Sequence, residues 1–561
     1  MIRHKFLIIV FITLLFGVAA RLIELQIKGK DFLNNQGNAR VVRVIKEQPY
    51  RGIILDRNKE PLAVSTQVSS VWLNPKIFNF DHQNVIKLLD ILQINKQQLI
   101  KKLSYYTDKE FIYLKRHISP EDAKRIAKLK VPGVHFRAEH KRYYPTGEVS
   151  SHVLGLTDLD GRGISGIEYA YNHQLTGNIG KRIVVNDQKG REVEYVKHLQ
   201  DMQLGENVVT SIDHRLQYLA HKELHNAIVK HSAKSGSVVI LDVSTGEVLA
   251  MANQPTFNPN EKITNINSNK YRNIAVTDYF EPASSVKAFS IASVLERGLS
   301  TNVLVDTNPG TLQLRGGVVK DLKNHGVLTL ATILQHSSNI GISKLILADP
   351  NINSANLLWN MYDRVGFGTT TSSGFPGESN GVLNLPNKNQ QFVLATMSFG
   401  YGMAVTPLQL ARAYAVLGAR GIRRPVSFIK LNEVQPGIRV MNPKITEQIV
   451  EMLALTSSRN TYNLTKVEGY NIAGKTGTAR KLINNNYDKN KHLAVFCGLA
   501  PVNEPKFSIV VTINEPSVSG YYGNQVAAPV FAKVASSALS ILNIPPDATD
   551  VHVAQSGVNH S

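Results

Sequence analysis

The chain has 561 residues, of which 43% are hydrophobic and 19% charged, with Lys+Arg 63 against Asp+Glu 43 for a formal net charge of +20. That length and composition exclude a small staple-dependent scaffold and general disorder, and they supply apolar mass for at least one large core. The excess of cations favours anionic surroundings, such as phospholipid headgroups, nucleic acid or pyrophosphate-bearing substrates, without choosing among them.

At the N-terminus, Arg3, His4 and Lys5 precede an apolar run from Phe6 to Ala20, after which Arg21 to Ile27 continues with helical spacing but carries charges. As a helix the apolar run rises about 22 Å, short of a hydrocarbon core of about 30 Å unless Lys5 and Arg21 snorkel at its ends. The segment reads as a membrane anchor over 6–24 behind a cytoplasmic end at 1–5, or as a signal peptide, because Gly17 to Ala20 offers small residues at cleavage positions. In both readings the basic flank stays cytoplasmic and the chain beyond residue 25 is exported. No later stretch is comparably apolar, so one span is the maximum. Export removes nucleic acid as a partner.

From 25 to 230 the sequence mixes strand-like pieces (Val41 to Ile45, Val64 to Leu73, Ile183 to Val185), charged helical pieces (Ile86 to Leu103, Glu121 to Leu129) and Gly-rich turns, which predicts an α+β region. At Ser237 to Val243, Ser244-Thr245-Gly246 and Glu247 to Ala252 the texture changes to two strands joined by a tight turn, and this hairpin opens a second domain over 231–545. Helical periodicity follows at Ser284 to Arg297, Thr329 to Leu347 and Pro407 to Leu417, and strands return at Tyr470 to Gly474, Leu493 to Leu499 and Phe507 to Asn514. Strands at both ends with helices between them imply an α/β sandwich whose sheet is assembled from the two ends of the domain. Residues 546–561 form a polar tail. Cys497, the only cysteine, excludes an intramolecular disulfide and Cys-based zinc frameworks, and its apolar neighbours make it a buried strand thiol.

Several motifs are matched in letters only. Gly469 to Thr476 spells the P-loop G-x-x-x-x-G-K-[ST], but Thr465 to Glu468 is not an apolar strand and no helix is indicated after it to hold phosphates. Gly161 to Gly166 spells G-x-G-x-x-G without a buried strand before it, and reads as a turn. His221 and His225 are spaced i, i+4, yet the intervening residues depart from H-E-x-x-H and no third ligand is indicated, so the pair reads as a solvated helix face. No metal and no cofactor are expected.

Ser-x-x-Lys occurs at Ser284/Lys287 and at Ser427/Lys430, Ser-x-Asn at Ser337/Asn339, Ser354/Asn356 and Ser458/Asn460, and Lys-[Ser/Thr]-Gly at Lys234 and Lys475. Context separates them. Pro282-Ala283-Ser284 initiates a helical run, which sets Ser284 and Lys287 one turn apart on one face, whereas Ser427 lies in a strand-like segment that sends residues three apart to opposite faces. The ordered set Ser284/Lys287, Ser337/Asn339, Lys475-Thr476-Gly477-Thr478 suits acyl transfer. Ser284 is the nucleophile, and Lys287 is its base if desolvation and Lys475 hold it neutral. Ser337 shuttles the proton to a leaving amine, and Asn339 offers its amide to a substrate peptide group. Lys475, Thr476 and Thr478 offer a cation and hydroxyls to a carboxylate, and Gly477 lets the backbone approach closely. The amides of Ser284 and Thr478 are candidates for an oxyanion hole.

This set, with Phe280-Glu281-Pro282, Ser398 to Gly402, Thr406 to Gln409, Arg51 to Arg57 through Leu62-Ala63, and Gly163 to Glu168, resembles the class B penicillin-binding proteins over nearly the whole chain. The short cytoplasmic end, single anchor and length are most similar to the septal type. The resemblance implies an α/β transpeptidase domain of the serine β-lactamase and penicillin-binding-protein kind, an antiparallel sheet flanked by helices. It also implies an N-terminal α+β pedestal (dimerisation-type) domain over 25–230 and an uncleaved transmembrane helix in the bacterial inner membrane, with the catalytic domain periplasmic. The implied activity is D,D-transpeptidation of peptidoglycan stem peptides, with β-lactams acylating Ser284. The implied partners are division-machinery membrane proteins including a glycan polymerase. Ala283 where the family usually has Gly, Ala288 where Pro usually follows the lysine, and Asn524 after Tyr521-Tyr522-Gly523 are departures, none of which removes a proposed catalytic group. The competing readings are a D,D-carboxypeptidase or β-lactamase-type hydrolase of the same fold, and a non-catalytic β-lactam sensor or division scaffold.

Overall fold

The computed structural model describes residues 2–27, 32, 42–47, 49–186, 192–261, 269–348, 354–387, 389–458, 465–484 and 486–547. Most of the polar tail, and Arg459 and Asn460 of one Ser-x-Asn match, lie outside the described residues. The chain forms two compact units, one of Met1–Gly52 with His173–Glu206 and one of Ile53–Asn172 with Asn207–Ser561.

In the first unit, helix α1 (Ile2–Ile27) is longer than the apolar run alone, because the charged continuation through Arg21 and Glu24 stays helical and closes an i, i+3 ion pair at 2.7 Å. Its mean hydropathy of 2.7 over the most apolar window, and the exposure of every one of its residues, make it long and apolar enough to cross a membrane. The first unit also contains β1 (Val42–Glu47), which joins a three-stranded antiparallel sheet completed by two later strands.

The second unit includes β2 (Pro61–Leu73), α2 (Val85–Leu92), α3 (Lys96–Ser104), β3 (Ile112–Ile118), α4 (Pro120–Lys128) and β4 (Val134–Tyr143). Both β3 and β4 pair antiparallel with β2. The helical stretch expected from Ile86 to Leu103 is two helices, because Gln93 adopts φ 54 and ends α2, and Asn95 caps α3 by accepting from Gln97 N and Gln98 N. Val71, Leu73, Leu88, Leu92, Ile112 and Ile126 bury one face of this sheet against the helices. Next come β5 (Gly180–Asn186) and β6 (Glu192–Gln200), the two strands that complete the sheet of the first unit.

The second unit continues with α5 (His214–Lys230), β7 (Ser235–Asp242) and β8 (Val248–Gln254), then the helices α6 (Lys287–Glu296), α7 (Leu330–His336), α8 (Asn339–Leu347), α9 (Pro407–Gly418) and α10 (Pro443–Ser458). It closes with β9 (Ala473–Ile483), β10 (Asn486–Ala500), β11 (Phe507–Asn514) and α11 (Ala528–Ile541). The five strands form one antiparallel sheet in the order β8-β7-β11-β10-β9, so its two halves come from the two ends of the domain, as the strand pattern predicts. Helices α5 and α11 cover one face and α9 the other. Buried Val238, Ile240, Phe496, Ile509, Val511 and Phe531 belong to the core on the α5/α11 side. The last strand pair differs from expectation in one respect. Strand β9 starts at Ala473 and runs to Ile483, so the Lys-Thr-Gly-Thr residues lie within an edge strand.

Candidate active site

The segment before Ser284 is held by backbone bonds. Phe280 and Val405 exchange N–H···O contacts of 3.0 and 2.9 Å, and Ala283 N donates to Gly400 O at 3.2 Å. Ala283 through Val286 form a 3-10 turn that leads directly into α6 at Lys287. In a 3-10 turn residues three apart eclipse, so half-buried Ser284 and fully buried Lys287 share one face. The turn requires φ 47 at buried Ala283, in the left-handed region where a side chain is strained. Close packing against Gly400, where an added Cβ would lie 2.2 Å from Ala283 O, holds the turn in place.

The helical stretch expected from Thr329 to Leu347 is broken at Ser337. Ser337 takes φ 55 and ψ 37, ending α7, and Ser338 caps α8 by accepting from Gly341 N at 2.8 Å. This break turns both the carbonyl and the hydroxyl of Ser337 toward Lys287. Lys287 Nζ donates to Ser337 O at 2.5 Å, Ser337 Oγ at 3.2 Å and Asn339 Oδ1 at 2.7 Å.

The third motif comes from β9. Lys475 opposes Cys497 on β10, is 1% exposed, and donates to Thr476 O at 3.1 Å. A Cβ at Gly477 would lie 2.9 Å from Pro282 O, so only glycine lets the edge strand lie this close to the turn that carries Ser284. Thr476 and Thr478 share the other strand face, and Thr478 Oγ1 accepts the Gly523 N–H at 3.0 Å. The P-loop letters therefore fall on a strand with no helix after them.

Electrostatics follow from burial. Desolvation, then repulsion from Lys475, holds the Lys287 ammonium well below its usual range, with Asp321 opposing. Burial brings Lys475 down to about 8. Two buried amines facing one another favour a neutral Lys287, the form a base requires.

The structure thus brings Ser284, Lys287, Ser337, Asn339, Lys475, Thr476, Gly477 and Thr478 to one place, and it sends the decoys elsewhere. Ser427 Oγ donates to Ile429 O at 2.7 Å and Lys430 Nζ to Arg57 O at 3.1 Å. Lys234 pairs with Glu515 at 3.7 Å, and Ser354 starts a separate helix.

Sequence reasoning missed three supporting groups. Asp321 accepts from Ser338 Oγ at 2.5 Å, Asn339 N at 2.6 Å and Ile340 N at 3.1 Å, fixing the start of α8. Tyr414, fully buried on α9, donates its hydroxyl to Ser285 O at 2.8 Å. Glu281 accepts from Gly402 N at 2.9 Å and Tyr487 OH at 3.0 Å, joining the Phe399 to Gly402 loop to the β9–β10 hairpin. Of these only Glu281, three residues before Ser284, lay inside a motif already singled out. A cavity of about 460 Å³ lies between Phe280–Glu281, Met403 and Ala479–Arg480.

Comparison with known proteins accords with this geometry. Residues 236–536 match the penicillin binding protein transpeptidase domain, and residues 46–210 the penicillin-binding protein dimerisation domain. The chain is similar to the peptidoglycan D,D-transpeptidase FtsI of Escherichia coli K12, at 40% identity over 94% of this chain and 90% of that protein. It is also similar in structure to a peptidoglycan synthetase from Bifidobacterium adolescentis, with TM-score 0.70 and 25% identity over 90% of this chain and 98% of that one. Penicillin binding protein 3 from Mycobacterium tuberculosis, complexed with ampicillin, matches with TM-score 0.67 and 25% identity over 90% of this chain and 97% of that one.

Proposed function

The chain belongs to the class B penicillin-binding proteins, and on that premise we propose that it is a peptidoglycan D,D-transpeptidase that cross-links stem peptides at the division septum through an acyl-enzyme on Ser284. The observation that carries this reading is the convergence on Lys287, a buried amine bonded to Ser337 and Asn339 and set one turn after Ser284.

In this mechanism Ser284 Oγ attacks the penultimate D-Ala carbonyl while neutral Lys287 Nζ, whose two N–H bonds serve two of its three neighbouring oxygens, takes the proton on its lone pair. The oxyanion is met by the amides of Ser284 and Thr478. Ser337 Oγ, 3.2 Å from Lys287 Nζ, passes the proton to the leaving amine as the C–N bond breaks and terminal D-Ala departs. An amine of another strand then attacks the ester, its proton returns by the same route, and Ser284 is regenerated with a new amide cross-link. Loss of terminal D-Ala is the step shared with the D,D-carboxypeptidase class. Lys475, Thr476 and Thr478 hold the donor carboxylate and Asn339 its peptide group. Gly477 gives the strand its close approach. β-Lactams enter as acylating mimics of the donor, in keeping with the ampicillin complex of the mycobacterial protein.

We assign 1–5 to the cytoplasm, 6–24 to a single-pass anchor in the bacterial inner membrane, 25–230 to a pedestal and 231–545 to a periplasmic transpeptidase domain, with a polar tail at 546–561. Its partners in this reading are division-machinery membrane proteins including a glycan polymerase.

Intact-mass spectrometry of the full chain in detergent with benzylpenicillin tests the chemistry. The expected result is a persistent adduct mapped to Ser284 and absent from Ser284→Ala. Transient labelling with hydrolysed drug would instead identify a hydrolase, and a folded chain that forms no adduct a scaffold. Replacing the chromosomal copy by the Ser284→Ala form tests the setting. Filamentous cells are expected, and rounded cells would overturn the septal assignment.

A further inference from the structure

The left-handed break at Ser337 is held on both sides by one loop, Asp321 to His325, which follows the short strand Gly317–Lys320. C-terminal to the break the start of this loop grips α8. Lys320 O accepts from Asn339 Nδ2 at 3.1 Å, and the Asp321 carboxylate accepts from Ser338 Oγ and from the N–H groups of Asn339 and Ile340. N-terminal to the break the end of the loop meets α7. The ring of His325 stacks on that of His336, the last residue of α7, with centroids 4.8 Å apart and planes at 20°. Asn324 anchors the loop beside the stack, donating through Nδ2 to Asn308 Oδ1 at 2.7 Å and accepting from Gly326 N at 3.1 Å. Ser337 thus sits between two residues, His336 and Asn339, that the same loop holds.

We propose that His325 and His336 are a positioning pair for Ser337, a proton-sensitive staple that fixes the N-terminal side of the break and loosens when both imidazoles are protonated. This role rests on the reading of Ser337 as the proton relay. A serine in the left-handed region is disfavoured, so the break persists because its surroundings over-determine it. Backbone bonds from Ser337 N to Leu334 O at 3.2 Å and from Ser338 N to Ile333 O at 3.0 Å supply part of that constraint, and the loop adds a side-chain hold on each side. Lys287 registers any shift directly, because it bonds both the carbonyl and the hydroxyl of Ser337. Neutral imidazoles stack with favourable dispersion, whereas two imidazolium rings at this separation repel. The charged and titratable groups around His325 are His336 on α7, Asp321 and Lys323 on its own loop, and Lys287 on α6. Burial first, then His336, holds the His325 ring below the usual histidine range, with Lys323 and Lys287 acting in the same direction and Asp321 against them. The stack is therefore intact at neutral pH and comes under repulsion as pH falls below the ordinary histidine value of 6.5. His336 is exposed, so protons reach the pair from solvent.

The test compares the full chain in detergent with two variants, His336→Phe, which keeps an aromatic ring that cannot be protonated, and His336→Ala, which removes the stack. Amide hydrogen exchange reads the positioning without reference to activity. At pH 7.5 residues 334–340 are expected to lose protection by about tenfold in His336→Ala and to keep it in His336→Phe. At pH 5.5, after correction for the intrinsic exchange rate, the same amides should lose protection in wild type and not in His336→Phe. Acylation by benzylpenicillin should follow. It is expected to slow by about tenfold in His336→Ala at pH 7.5 and to recover in His336→Phe, whose acid limb is shallower because only Lys287 remains to titrate. Equal protection in all three proteins would overturn the staple, and the same pH response in wild type and His336→Phe would overturn its proton sensitivity. Lost protection in His336→Ala with unchanged acylation would overturn the positioning of Ser337. A wild type that benzylpenicillin does not acylate would refute the acyl-transfer reading instead, with exchange still deciding the staple.

Discussion

The carboxylate of Asp321 accepts the backbone N–H of Asn339 at 2.6 Å, and through that bond an acidic residue outside every motif fixes the start of the helix that carries the Ser-x-Asn asparagine. Asp321 satisfies three donors at the start of α8, and its charge opposes the depression of the buried Lys287. Asp321→Ala leaves those donors without their acceptor, at a cost of about 1–3 kcal/mol. A lower Tm and an acylation rate down by about tenfold or more are expected by stopped-flow with a fluorescent penicillin. An unchanged rate would show that Asn339 is held by other contacts.

Acylation should have a bell-shaped pH profile. Falling pH protonates Lys287 and removes the base, at a pH below the usual lysine range because burial and Lys475 depress its pKa. Rising pH discharges Lys475 at about 8 and removes the partner of the donor carboxylate. Rates measured from pH 5 to 10 should therefore fall on the alkaline side near 8, and a rate still rising at pH 10 would contradict the role given to Lys475.

The same burial makes Lys475 a stability liability. Its folded pKa of about 8 lies below the ordinary value of 10.5, so the unfolded chain binds the proton more tightly and the penalty is full below pH 8 and fades as pH rises toward 10.5. Lys475→Met should raise stability at pH 7 by up to about 3 kcal/mol while abolishing acylation. Thermal unfolding at pH 7 and pH 10 checks this, since the gap between variant and wild type should shrink at the higher pH.

Ala283 holds φ 47 in the turn that presents Ser284. Left-handed backbone costs a residue with a side chain about 1–2 kcal/mol, and glycine returns about 0.5–1 kcal/mol of that as unfolded-state entropy. Ala283→Gly should therefore be neutral to slightly stabilising, by about 0.5 kcal/mol, where Ala→Gly within α6 costs about 1 kcal/mol. Parallel Tm measurements on Ala283→Gly and Ala292→Gly separate the two cases.

Ser337→Ala keeps the carbonyl bond to Lys287 at 2.5 Å and removes only the hydroxyl at 3.2 Å. The fold should be retained while acylation falls by roughly 10²-fold or more, the scale of a lost proton relay. A loss of less than about threefold would move proton transfer to water.

Much of this protein was legible in its residues because the signals are local. The apolar run at Phe6, the strand-turn-strand at Ser237 and the Ser-x-x-Lys spacing each depend on neighbours a few residues away, and helix and strand periods expose them directly. Context also separates Ser284 from Ser427, since a helical turn aligns residues three apart and a strand does not. Where single residues override a period the reading failed. Gln93 and Ser337 both enter the left-handed region inside runs that look continuously helical, and at Ser337 the break is what delivers the carbonyl to Lys287.

What the sequence determined by itself was the inventory: an N-terminal segment long and apolar enough to cross a membrane, a dimerisation-type domain followed by a transpeptidase domain, and the Ser284/Lys287, Ser337/Asn339 and Lys475-Thr476-Gly477 pieces in that order. Only the tertiary structure decided how they meet. Lys287, Asn339 and Lys475 lie far apart along the chain, and only packing of α6, α8 and β9 brings them together and buries two amines with Asp321 nearby. Depressed pKa values and the capping of α8 by Asp321 arise from desolvation and long-range contact, which no local periodicity encodes.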